Sequence, residues 1–165
     1  MASQDLQEQL TKHIDEALAM EHSVLRMLDG MIETTADDEI KSELRTHKAE
    51  TERHADLLQQ RLEAHGESPS TVREATGILG ALMKSVADMA RSEKAGRNAR
   101  DGYATEHMEI AAYQLLERVA ERAGDEETAE VARQNRADEE RMAQKIDANW
   151  DRFAELSLVE AGITA

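Results

Sequence analysis

Apolar residues recur along most of this chain at the spacing of one helical face. From Gln4 to Thr34 the stripe is Leu6, Leu10, Ile14, Ala17, Val24 and Leu28, which predicts a long amphipathic helix. Thr35-Ala36-Asp37-Asp38 supplies turn and N-cap chemistry. A second helix is predicted from there to about His65, with Ile40, Leu44, His47, Thr51, His54 and Leu58 inward. Gly66-Glu67-Ser68-Pro69-Ser70 ends it, because glycine suits a C-cap and proline cannot continue a helix. Between Thr71 and about Arg97 the spacing weakens around Gly77 and Gly80, and one or two short crossover helices are expected. A further helix spans roughly Asn98 to Ala123, and the last one Asp125 to about Glu155, with Gly124 as the hairpin between them. The tail Ser157–Ala165 has no clear pattern.

Two helix pairs joined by a long crossover give an all-α, antiparallel four-helix bundle. The pairs also look alike. Glu21-His22 recurs as Glu106-His107, and the acidic run from His47 to Arg53 recurs from Asn135 to Arg141. A single domain over residues 1–165 is expected, with its core at about 5–155.

The stripes are interrupted by acids. Glu21 lies seven residues from both Ile14 and Leu28, and Glu139 breaks the run Ala132, Asn135, Met142, Ile146, Phe153. Glu50 and Glu109 take similar places on their own helices. A carboxylate without a partner in a core costs several kcal/mol. Their heights agree: Glu21 and Glu50 stand 14 and 15 residues from Thr35, and Glu109 and Glu139 each stand 15 from Gly124. At about 1.5 Å per residue all four reach one level, roughly 22 Å from the turns. Glu106 lies one turn from Glu109, and His47 one turn from Glu50. The candidate metal ligands are therefore Glu21, His47, Glu50, Glu106, Glu109 and Glu139. Each also has a reading as an ion-paired or hydrogen-bonded core group. His54 and His107 are read as core or surface groups rather than ligands, and Tyr113 as core packing or a partner to a ligand carboxylate. Carboxylates with imidazole suit iron or manganese, in a mononuclear or dinuclear site, with zinc less favoured.

Composition narrows the partners. Among 165 residues, aromatics are 2%, so the core must be aliphatic and methionine-rich. A net charge of −15 disfavours nucleic acid and anionic membrane. There is no cysteine, which excludes disulfides, thiolate metal sites and cysteine nucleophiles. With no signal peptide and no long apolar run, a cytoplasmic protein is expected. No nucleophile–base pair or phosphate loop is found, so no catalytic residue is assigned. The surplus apolar residues Val72, Ile78, Leu79, Leu82, Val86 and Met89 predict a homodimer.

His47-Lys48-Ala49-Glu50-Thr51, Glu106-His107-Met108-Glu109-Ile110-Ala111-Ala112-Tyr113 and Asp138-Glu139-Glu140 resemble the YciE/YciF-type ferritin-like proteins over roughly residues 5–155. The resemblance implies a ferritin-like bundle, often dimeric and bacterial, linked to stress response and without an established reaction. Wider relatives such as rubrerythrin carry di-iron sites, and on that match Glu21, Glu50, Glu106, Glu109 and Glu139 fall on ligand positions. Di-iron bundles usually place a histidine three residues after the glutamate of the second and last helices, where this chain has Arg53 and Met142. His47 is the substitute on one side. The expected function is an interior carboxylate–histidine site for divalent metal. The alternative is a metal-free bundle acting in stress or assembly, and a storage shell is disfavoured.

Overall fold

The computed structural model describes residues 4–70 and 94–163. Five helices make up the described residues, without strands: α1 (Gln4–Thr34), α2 (Asp38–Ala64), α3 (Ala95–Ala123), α4 (Glu126–Asp147) and α5 (Trp150–Glu160). The crossover and its apolar residues lie outside the described residues.

The turns follow from local chemistry. Asp37 caps α2, its carboxylate accepting from the backbone N–H of Glu39 at 3.1 Å and Ile40 at 3.0 Å. Gly124 ends α3 in the left-handed region at φ 75°, where a side chain would be strained. Asp125 then caps α4 through the N–H of Thr128 at 3.0 Å. These short turns fold α1 against α2 and α3 against α4. The pairs meet through α1 with α3 and α2 with α4, giving the ferritin-like four-helix bundle.

Between the helices lies an aliphatic core that includes Leu10, Ile14, Leu18, Val24, Leu58 and Leu116, each at most 1% exposed. Burying each such side chain contributes about 1.5–3 kcal/mol. The interrupted stripes are buried as well: Glu21 and Glu139 are inside with their apolar neighbours.

The last helix departs from expectation. It breaks at Ala148 and Asn149, and a separate α5 continues through the stretch that has no clear sequence pattern, to Glu160. The Asn149 side-chain amide donates to the Lys145 carbonyl at 2.7 Å, while its backbone N–H pairs with Ile146 at 3.0 Å in a tighter turn. An asparagine that serves its own backbone in this way competes with the helix ladder. α5 then ties helix ends together. The Glu160 carboxylate accepts from Ala95 N–H at 3.0 Å, Ser157 Oγ accepts from Gly96 N–H at 2.9 Å, and Arg152 grips Asp37 at 2.9 Å.

Candidate metal centre

Three helices of the bundle each deliver a glutamate to one buried place, because glutamate occupies core-facing positions there: Glu21 on α1, Glu106 and Glu109 on α3, and Glu139 on α4. None is more than 1% exposed. α2 supplies His47 and His54, seven residues apart and so on the same face, also at most 1% exposed.

These side chains form two triads that share a member. Glu21, His54 and Glu139 bring one ligand atom each within 4.8 Å of the others, and so do His47, Glu106 and Glu139. His54 Nδ1 is 2.8 Å from Glu139 Oε1 and 3.9 Å from Glu21 Oε2. His47 Nε2 is 3.3 Å from Glu106 Oε1 and 3.6 Å from Glu139 Oε2. The arrangement leaves polar atoms stranded. Glu21 Oε2, Glu106 Oε2, both oxygens of Glu109, both of Glu139, His47 Nε2 and His54 Nδ1 have no hydrogen-bond partner. His54 Nδ1 and Glu139 Oε1 are close without hydrogen-bond alignment.

The outer ring nitrogens are held. His54 Nε2 is 3.0 Å from Asp138 Oδ2, and Asp138 is itself gripped by Arg53 and Arg141. A carboxylate at Nε2 favours the tautomer with its proton there, which turns the Nδ1 lone pair inward. His47 Nδ1 meets Glu50 Oε2 at 3.4 Å, which leaves Nε2 facing Glu106 and Glu139. On Glu21, Oε1 accepts from the Tyr113 hydroxyl, which in turn accepts from Asn135 Nδ2 at 3.1 Å.

The electrostatics follow from burial. Burial, then the Glu139 charge, pushes the Glu21 carboxyl up to about 8, against the pull of His54 and the Tyr113 hydrogen bond. Burial raises Glu106 to about 7 although His47 draws it down. Glu109 rises well above the carboxylate range through burial and the charges of Glu139, Glu21 and Glu106. Burial would lower His47, but the charge of Glu106, with that of Glu139 and the hydrogen bond to Glu50, outweighs it and lifts the imidazole to about 10. The cluster thus holds protons that ordinary carboxylates would have released.

Of the six ligand positions expected from sequence, Glu21, His47, Glu106 and Glu139 enter a triad. Glu109 lies beside them, close enough for their charges to bear on it. Glu50 stands outside both triads, its side chain 29% exposed, at the back of His47 and 3.8 Å from Arg141. His54, read from sequence as a core group, is a triad member. Its signal was its place seven residues after His47 and four after Glu50; the expected histidine position, Arg53, instead braces Asp138.

The family described as a domain of unknown function, DUF892, matches residues 5–158. The chain belongs to this family. A Xanthomonas campestris protein of solved structure is 27% identical, with TM-score 0.78, covering 96% of this chain and 99% of that one. A structure described as ferritin-like, diiron-carboxylate proteins from Bacillus anthracis shares 18% identity at TM-score 0.74, over 90% of this chain and 99% of that one. The Escherichia coli stress protein YciF is 16% identical at TM-score 0.72, covering 94% and 98%. No curated protein matches the chain. Among the described residues, no helix is long and apolar enough to cross a membrane.

Proposed function

We propose that this protein binds two divalent cations, iron or manganese, inside the bundle. Glu21 and His54 hold one, His47 and Glu106 the other, and Glu139 serves both. Glu109 completes the acidic set. The observation that carries this reading is the group of buried, unpartnered carboxylate oxygens and inward imidazole nitrogens in two triads with a common glutamate. Charge supports the number: four buried glutamates carry −4 when ionised, which two divalent ions with neutral imidazoles balance. The donor set is oxygen and nitrogen with no thiolate, which suits iron and manganese.

When bound, iron or manganese supplies one-electron chemistry toward dioxygen or peroxide. The chain's own part is to hold and orient. Asp138 and Glu50 fix the histidine rings from behind, Tyr113 fixes Glu21, and burial keeps bulk water from the acids. The likeness to the stress protein YciF supports a role in stress response. A metal-free bundle is the weaker reading, since His54 supplies the second imidazole whose absence favoured it. Cytoplasmic residence and a homodimer belong to the same proposal, the latter supported by exposed Leu158, Val159 and Ile163 near the end of α5.

Elemental analysis of protein purified without chelator, with melting of chelated and loaded forms, tests the proposal. Metal that binds only the folded state stabilises it by about 2.7 kcal/mol at a hundredfold excess over Kd. An unchanged melting temperature in excess Fe(II) and in excess Mn(II) overturns it.

A further inference from the structure

Among the described residues, one end of the bundle is hollow. Between the helices, under α5, lies a cavity of 340 Å³, within the range of small-molecule pockets. Its walls include Met27, Met31, Met142, Ile146 and Phe153. They also include Glu106, which is 1% exposed and has one carboxylate oxygen without a hydrogen-bond partner. The cavity therefore runs from solvent to a member of the second triad.

Gly102 keeps this space free. It sits within α3 and lines the cavity. A Cβ built there would meet Ile146 Cδ1 at 3.5 Å and Met31 Cε at 3.9 Å, both ordinary contacts. Its backbone is not in the left-handed region. Neither packing nor conformation calls for glycine, which is a poor helix residue, and the room left by its missing side chain belongs to the cavity. The three methionines are flexible thioethers that adapt to a guest's shape.

The rim selects against anions. Asp37, Glu39, Glu43 and Glu160 outnumber Lys145 and Arg152. Both cations are engaged, Arg152 by Asp37 and Glu39 and Lys145 by Glu43. Among the described residues, a carboxylate or phosphate head would meet four acids of the rim and no free base there.

We propose that this cavity binds an uncharged aliphatic molecule, with its inserted end against Glu106. Occupancy does not require metal. Only the consequence, that the inserted end faces the metal position served by Glu106, rests on the metal-site reading above.

The test uses metal-free protein carrying methyl-labelled methionine, titrated with 1-octanol or octanoate and followed by NMR. The Met27, Met31 and Met142 methyl signals move saturably with octanol while Met20, outside the cavity, stays. Octanoate binds at least tenfold more weakly. Gly102→Leu fills the space and weakens octanol binding at least tenfold. Gly102→Ala weakens it less and serves if the larger side chain prevents folding. Absence of a saturable shift in the wild type, octanoate binding as tight as octanol, or unchanged octanol affinity in a folded glycine variant overturns the proposal. Octanol binding by a chain that takes no metal upholds the cavity and sinks the metal site, whereas metal binding without octanol does the reverse.

Discussion

Asp125 and the mid-bundle glutamates are both acids gathered with bases between helices, yet burial has opposite outcomes in the two places. Asp125 takes Arg61 of α2 at 2.9 Å and His65, just past the end of α2, at 2.7 Å, besides capping α4. Burial alone would raise its carboxyl, but hydrogen bonds from Thr128, His65 and Arg61 outweigh it and hold the group at about 2. In the mid-bundle cluster the order reverses: Glu21 stands at about 8, and Glu109 has no partner for either oxygen. A buried acid is therefore not in itself a sign of function. The sign is a buried acid that the protein leaves unsatisfied, since such groups cost about 1–3 kcal/mol each unless something arrives to pair them.

The largest expected effect tests the satisfied side. Asp125→Ala removes a helix cap, strips His65 of its carboxylate and takes one partner from Arg61, which keeps Thr128 and Glu127, and the loss of stability in denaturant melts should be about 3 kcal/mol. A loss below about 1 kcal/mol, within reach of a helix cap alone, would dissolve the contrast. The unsatisfied side should answer with the opposite sign. Glu109→Leu replaces a partnerless carboxyl with an apolar group of similar size, so chelated protein should gain about 1–3 kcal/mol. Metal content, measured by elemental analysis, should fall in the same variant. A destabilised chelated protein would show that Glu109 has a partner and is structural.

Asp138 joins the two behaviours, being a satisfied acid that serves an unsatisfied one. Burial would raise its carboxyl, but the hydrogen bonds from His54 and Arg141 outweigh it and keep it low. Asp138→Asn should weaken metal affinity tenfold to a hundredfold, about 1.4–2.7 kcal/mol, by loosening the His54 tautomer. Calorimetric titration with Mn(II) measures this. An affinity equal to wild type would remove Asp138 from any part in orienting the ring.

Sequence carries some of this contrast and hides the rest. The level shared by Glu21, Glu109 and Glu139 is legible because long, uninterrupted helices turn residue counts into heights. Asp37 and Gly124 mark their turns by residue type. The break at Asn149 is not legible, since no glycine or proline stands there and the apolar spacing runs on to Phe153. His54 escapes for another reason. A fixed spacing from Glu50 points to Arg53, and only the neighbouring helix, by placing Asp138, decides which of the two side chains turns inward. Whether a carboxylate is satisfied depends on such cross-helix partners, which periodicity cannot supply. The expected crossover helices fall on residues outside those described.

The pH dependence of stability separates the two clusters without mutation. Asp125 is depressed from 3.8 to about 2, so its contribution is present above about pH 4 and is lost as pH falls toward 2. The cluster works the other way. Glu21 and Glu106 are raised from 4.5 to about 8 and about 7. The folded chain therefore keeps protons that the unfolded chain gives up, and stability falls as pH rises through that window. His47, raised from 6.5 to about 10, adds the same sign above about pH 6.5. Chelated protein should thus melt at progressively lower temperature from about pH 5 to about pH 9, by at most about 1.4 kcal/mol per pH unit for each proton held. Metal displaces those protons, so the gap in melting temperature between loaded and chelated protein should widen over the same range. A gap that is constant or narrows with rising pH would mean that the protons on Glu21, Glu106 and His47 are not the ones a metal replaces, and the two clusters would then differ in charge but not in purpose.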